Sequence, residues 1–91
     1  MNKSELIEAL AQAAALPVRE ARAATDTILE TMTEALARGE NIEIRGFGSF
    51  VVKEYDSYHG RNPKTGEKIK VPPKKLPFFK VGKELKESLN D

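Results

Sequence analysis

The chain has 91 residues, 40% hydrophobic and 32% charged, with no cysteine and a net charge of +1. That describes one modest globular domain whose small core favours completion by a partner, and it excludes disulfide scaffolds and cysteine-based metal or nucleophile chemistry. No apolar run reaches membrane-spanning length, and Lys3, Glu5 and Glu8 interrupt the stretch a signal peptide needs, so the expected setting is cytoplasmic, with no membrane partner.

Leu6, Ile7, Leu10 and Ala14 recur at three- and four-residue spacing, which predicts a helix over about 3–14. Asn2 is placed to cap it, with Glu5 completing a capping-box pair. Leu16-Pro17 breaks the pattern, and Pro17 suits the first turn of a second helix. That helix carries Val18, Ala21, Thr25, Ile28, Leu29, Met32, Ala35 and Leu36 along one side and ends at Gly39. So short a link predicts a helical hairpin.

After Gly39 the period becomes two. Ile42 and Ile44 alternate with Glu43 and Arg45, Gly46-Phe47-Gly48 makes a tight turn, and a strand through Phe50 and Val52 grows more polar toward Tyr58. Asn62-Pro63-Lys64-Thr65-Gly66 is a turn signal: Pro63 suits the second position of a type I turn and Gly66 a left-handed closing position. The return strand from Lys68 to Val71 sets Lys68 and Lys70 on one face and Ile69 and Val71 on the other, and Pro72-Pro73 bars it from a central sheet position. Phe78-Phe79 leads through Gly82 to a short helix holding Leu85 and Leu89. Beyond Lys53 few side chains want burial, so the hairpin is expected to leave the body as an arm, reaching ~35 Å from Val52 to Pro63 and mobile until bound. Phe47, Phe50, Phe78 and Phe79 want burial that so small a body cannot provide, which dimerisation would supply.

The near-zero net charge conceals an asymmetry. Through Val52, Lys3, Arg19, Arg22, Arg38 and Arg45 face an excess of acids; from Arg61 to Lys83 every charge but Glu67 is positive. Such a stretch fits a polyanion partner, and equally a solvated lysine-rich surface. Cations flanking a rigid apolar wedge, Pro63, are what a minor-groove ribbon needs. Taken alone, the same turn reads as a plain hairpin whose lysines keep an exposed edge from aggregating.

Ile44-Arg45-Gly46-Phe47-Gly48-Ser49-Phe50, followed by Gly60-Arg61-Asn62-Pro63-Lys64-Thr65-Gly66, resembles the signature of the bacterial histone-like HU and integration host factor family. The likeness spans essentially the whole chain. It implies an α+β fold: an N-terminal helical hairpin, a three-stranded antiparallel sheet with a long protruding β-hairpin arm, and a short C-terminal helix, assembled as an intertwined dimer. It implies a single domain over 1–91, with the body at about 1–52 and 76–91 and the arm at about 53–75. The implied function is architectural: binding, bending and compacting double-stranded DNA in the bacterial nucleoid, with little sequence preference and a taste for bent or gapped forms.

By the same resemblance Pro63 is the intercalating tip, held in the groove by Arg61, Asn62, Lys64, Thr65 and Gly66, while Lys68, Lys70 and Lys75 line the arm. Lys53, Tyr55, Tyr58 and His59 complete the arm's expected DNA contacts. Lys3, Arg45, Lys80, Lys83 and Lys86 are candidates for flanking phosphates on the body. Leu36, Ile44, Phe47, Phe50 and Phe79 are the expected dimer core. The sequence departs from the family pattern where Tyr55 and Tyr58 stand at commonly basic positions beside Glu54 and Asp56, which weakens the outgoing strand's electrostatic grip. Pro72-Pro73-Lys74-Lys75 replaces an often alanine-rich stretch and is expected to stiffen or bend the arm base. Phe78, bulkier than usual at its position, is expected to repack the dimer core.

Two alternatives stay open: an integration-host-factor-like subunit with site preference, pairing with a paralogous chain instead of itself, and a basic hairpin that grips an acidic protein. His59, the one histidine, lacks companions for a metal site. No nucleophile–base pair or glycine-rich phosphate cradle is present, so neither an enzyme nor a cofactor is expected.

Overall fold

The computed structural model describes residues 1–90, in two compact units: Met1–Ala35, and the chain from Leu36 onward. The first unit is helical. Helix α1 (Lys3–Ala14) opens on a complete capping box, in which Asn2 Oδ1 accepts from the Glu5 amide at 2.9 Å and Glu5 Oε1 accepts from the Asn2 amide at 3.4 Å. It closes at Ala15, held left-handed at φ 53°. Helix α2 (Val18–Ala37) opens on the Pro17 carbonyl, which accepts from the Glu20 and Ala21 amides. Pro17 therefore stands just ahead of the helix, not inside its first turn. The Gly39 amide donates to the Leu36 carbonyl at 3.0 Å and ends it.

Ile7, Ala11 and Ala21 form the buried cluster, with Leu10 packed against it. Thr25, also buried, returns its hydroxyl to the Ala21 carbonyl at 2.9 Å, so its polar group is satisfied inside the helix. The core is small: among the described residues no large side chain is fully buried, and Ile28 and Leu29 remain 56% and 42% exposed. No helix among the described residues is long and apolar enough to cross a membrane.

In the second unit β1 (Ile42–Ile44), β2 (Gly48–Tyr55) and β5 (Lys74–Val81) form an antiparallel sheet in the order β1-β2-β5, while β3 (Tyr58–Arg61) pairs with β4 (Lys68–Val71) as a separate ribbon. Phe50 lies opposite both Ile42 and Phe79. The twofold period then puts Ile42, Ile44, Phe50, Val52, Pro77, Phe79 and Val81 on one face. Phe47, in the β1–β2 turn, packs on Phe79 at 5.6 Å between ring centroids, and Phe79 on Phe50 at 4.8 Å. Phe78 pairs with Val51 instead, so it points to the opposite face and does not join this cluster. The expectation that it repacks a core around Phe50 and Phe79 is corrected by a one-residue alternation.

Gly48 is obligatory for contact reasons: a Cβ there would stand 2.5 Å from the Lys80 carbonyl oxygen and 2.6 Å from the Phe79 ring. Helix α3 (Lys83–Leu89) is tied to the same turn, with the Gly82 amide donating to the Phe47 carbonyl at 2.8 Å and the Leu85 amide to the Gly46 carbonyl at 3.1 Å.

The long hairpin is jointed. The β2–β5 ladder runs to the pair Tyr55–Lys74 and stops; pairing resumes at Tyr58–Val71. Between them Asp56-Ser57 faces Pro72-Pro73, which have no amide hydrogen to donate across the gap. The strand expected to run unbroken toward Tyr58 is therefore two strands.

Candidate nucleic-acid interface

The register of the β3–β4 ribbon makes it two-faced. His59 pairs with Lys70 and Arg61 with Lys68, while Tyr58 pairs with Val71 and Gly60 with Ile69. Directly opposed residues share a face, so His59, Arg61, Lys68 and Lys70 present one cationic surface. Tyr58, Ile69 and Val71 present an apolar one. Arg61, Lys64, Lys68 and Lys70 form no ion pair among the described residues. Glu67 offsets one of these four charges, so the ribbon end carries a net positive charge.

The loop joining β3 to β4 spans Asn62 to Glu67 and closes on Gly66. Its closing bonds run from the Gly66 amide to the Asn62 carbonyl at 2.7 Å and from the Asn62 amide to the Glu67 carbonyl at 2.8 Å. Gly66, at φ 73°, supplies the left-handed residue that this closure requires. Two side chains expected as groove contacts also shape the loop: Asn62 Oδ1 accepts from the Lys64 amide at 2.9 Å, and Thr65 Oγ1 from the Glu67 amide at 3.3 Å. The effect is to fix Pro63 and Lys64, both exposed, at the end of the ribbon.

Nearer the sheet the cations are partly engaged. Lys75 lies 3.7 Å from Glu54, both well exposed, and Lys53 Nζ sits 3.8 Å above the Phe78 ring. Lys83 is 3.9 Å from Glu87 on α3. In the helical unit Lys3 Nζ lies 2.6 Å from Asp26 Oδ1, an oxygen that has no donor in hydrogen-bonding geometry. The pair is thus an ion contact and not a hydrogen bond. Exposed pairs of these kinds are worth ~0–1 kcal/mol, so each cation stays available to a stronger anion. Arg45, Lys80 and Lys86 are exposed, on the β1–β2 turn, β5 and α3. The structure thus gathers Arg61, Lys64, Lys68 and Lys70 with Pro63 in one ribbon end, and spreads the other expected contacts along the arm base, the sheet and the helices.

Of the expected dimer-core residues, Phe47, Phe50 and Phe79 form one cluster, with Ile44 on the same sheet face. Leu36 and Phe50 are half-buried, while Phe47, Phe79 and Ile44 keep 45%, 39% and 40% exposure. The sequence reading did not count Lys74 among the site residues, although its ammonium lies 6.0 Å from the Tyr55 ring centroid, and it expected Phe78 in a core whose face Phe78 does not share. The alternation around Phe79 was the available signal for Phe78. No group of three or more histidine and acidic residues able to hold a metal is found among the described residues.

An α+β body bearing a jointed, cation-faced β-ribbon with a proline at its end defines the class: a basic-arm protein built to meet a polyanion. More particularly, the chain belongs to the bacterial DNA-binding protein family, which it matches over residues 1–90. It is 46% identical over 89 residues to DNA-binding protein HU 1 of Bacillus subtilis (98% of this chain, 97% of that one). It is 53% identical over 91 residues to the integration host factor subunit beta of Ralstonia nicotianae (99% of this chain, 66% of that one). Among solved structures it is similar to HU from an Anabaena HU–DNA cocrystal, at TM-score 0.85 and 40% identity (98% of this chain, 97% of that one).

Proposed function

We propose that this protein is an architectural double-stranded DNA-binding protein that bends and compacts DNA, acting as a dimer whose arms enter the minor groove with Pro63 as wedge. The observation that carries this reading is the ribbon end, where an exposed proline on a tightly bonded loop adjoins the unpaired cations Arg61, Lys64, Lys68 and Lys70. Cations there neutralise phosphates along the groove walls, while the rigid ring enters a base step and unstacks it. That wedge is the mode of binding known for proteins of this family.

Dimerisation is supported by the uncovered apolar surface. Phe47, Phe79 and Val81 lie on one sheet face with 39–48% exposure, and a second chain is the natural cover for it. Contacts confined to phosphates and groove shape read deformability, not base identity, so bent and gapped duplexes are the preferred partners. The second reading is an integration-host-factor-like subunit with site preference and a paralogous partner. It is favoured by the 53% identity to such a subunit, against 46% to the Bacillus HU protein.

The test is fluorescence anisotropy with an intact mixed-sequence duplex and a gapped one, each of ~35 bp, about one helical turn per arm with flanks. The expected result is salt-steep binding to both, tighter on the gapped form. No binding at low salt, with the arm captured instead by an acidic protein, would refute the nucleic-acid reading.

A further inference from the structure

The hairpin is braced on both sides of one empty place. On the sheet side the last rungs are held: Lys75 lies 3.7 Å from Glu54, and Lys74 Nζ lies 6.0 Å from the ring of Tyr55, its pair partner. On the far side the ribbon is closed by the Gly66–Asn62 and Asn62–Glu67 bonds and by the Asn62 and Thr65 side chains. Between them, Asp56, Ser57, Pro72 and Pro73 belong to neither ladder and make no ion pair or side-chain hydrogen bond among the described residues. Each strand advances three residues from the pair Tyr55–Lys74 to the pair Tyr58–Val71 (55 to 58, 74 to 71). Neither strand carries an extra residue, so the break is not a bulge.

The two sides of this joint differ in stiffness. The proline rings fix φ at both positions and restrict Val71 before them. A Pro-Pro step is thus an extended strut of ~3.1 Å per residue. Asp56 and Ser57 have no ring to restrain them and no partner across the gap. A strut beside a slack strand turns without shortening.

We infer that this joint is the pivot of the arm and that Pro72 and Pro73 are positioning residues for Pro63. The ribbon turns about them as one folded body, and its angle to the sheet decides where the Pro63 ring meets the duplex. That use rests on the wedge reading; the pivot itself does not. From Ser57 to Asn62 the ribbon is a lever of about 16 Å, five steps of ~3.3 Å. A turn of about 20° then carries its end about 5–6 Å, more than the ~3.4 Å between successive nucleotides of a strand. A hairpin without a joint would instead loosen gradually toward its tip.

The chain has no cysteine, so spin labels can be placed on the full chain at Glu43→Cys in β1 and Glu67→Cys at the ribbon end. Excess unlabelled protein limits double electron–electron resonance to distances within one chain. With the native prolines the distance distribution should be broad. Cross-strand nuclear Overhauser contacts between Tyr58 and Val71 and between Arg61 and Lys68 should persist, because the ribbon moves folded. Pro72→Val with Pro73→Thr returns two amide donors and β-branched side chains to the gap, and should narrow the distribution. On an end-labelled duplex this variant should keep the salt slope within ~1 of the wild type, its phosphate contacts being intact, yet give less end-to-end fluorescence transfer. A narrow distribution with the native prolines overturns the pivot even if the variant fails to fold. So does loss of the cross-strand contacts, which would make the motion fraying, or an unchanged width in the folded variant. Equal transfer by the two proteins overturns the positioning role. A wild type that binds no duplex, with a broad distribution and an intact ribbon, would refute the nucleic-acid reading and its wedge while the pivot stands.

Discussion

Replacing Lys68 and Lys70 together with alanine strips half the cationic face of the β3–β4 ribbon, while the backbone pairing of β4 to Tyr58–Arg61 needs neither side chain. The magnitude follows from counterion release. In a dimer, Arg61, Lys64, Lys68 and Lys70 of both arms neutralise ~8 phosphates and give a slope of log affinity against log salt near −7. The double substitution removes ~4 of them and brings the slope to about −3.6. Between ~50 and ~200 mM salt the wild type should therefore lose about 10⁴-fold in affinity and the variant only about 10²-fold. Anisotropy on one duplex across a salt series measures both slopes, with a circular-dichroism spectrum to show that the fold is kept. A slope that moves by less than ~1 would mean that these lysines do not sit on phosphates, and the placement of the ribbon in the groove would be wrong.

Gly48→Ala should cost about 1–3 kcal/mol or more, because the added Cβ meets the Lys80 carbonyl at 2.5 Å and backbone cannot swing aside; a thermal melt should fall by several degrees per kcal/mol. Asp26→Asn removes the charge partner of Lys3, whose side chain is 58% exposed. The melt should then fall by no more than the ~1 kcal/mol of a surface pair, while the salt slope steepens by ~0.9 per chain as Lys3 turns to phosphate. A melt unaffected by mutating Asp26 together with an unchanged slope would show Lys3 already free in solution. Dilution should lower the thermal midpoint if folding is coupled to dimerisation, and sedimentation should give twice the chain mass; a concentration-independent monomer would contradict the dimer.

Local features were legible in the sequence. The Asn2–Glu5 capping box, the Gly39 helix end and the left-handed Gly66 each depend on a few consecutive residues, and each appears where the pattern put it. The cationic face of Lys68 and Lys70 followed from period two alone, and the family followed from two short motifs at the right separation. Non-local features were not legible. Phe78 is the exception, because alternation with its neighbour Phe79 alone sets it on the opposite face. The break between Tyr55–Lys74 and Tyr58–Val71 needs Pro72-Pro73 to fall opposite Asp56-Ser57, a coincidence of register that neither strand reveals alone. The Lys3–Asp26 contact joins two helices across 23 positions of chain, where only packing decides which charges meet. That Asn62 and Thr65 also accept loop amides depends on how the loop closes, which their residue types alone do not reveal.

The most direct test of the central claim is end-to-end fluorescence transfer across a labelled ~35 bp duplex, far shorter than the ~150 bp persistence length and so nearly straight when free. Saturating wild-type protein should raise the transfer sharply, and Pro63→Ala, with an unchanged circular-dichroism melt, should bind yet raise it much less. Equal transfer by the two proteins would contradict the wedge.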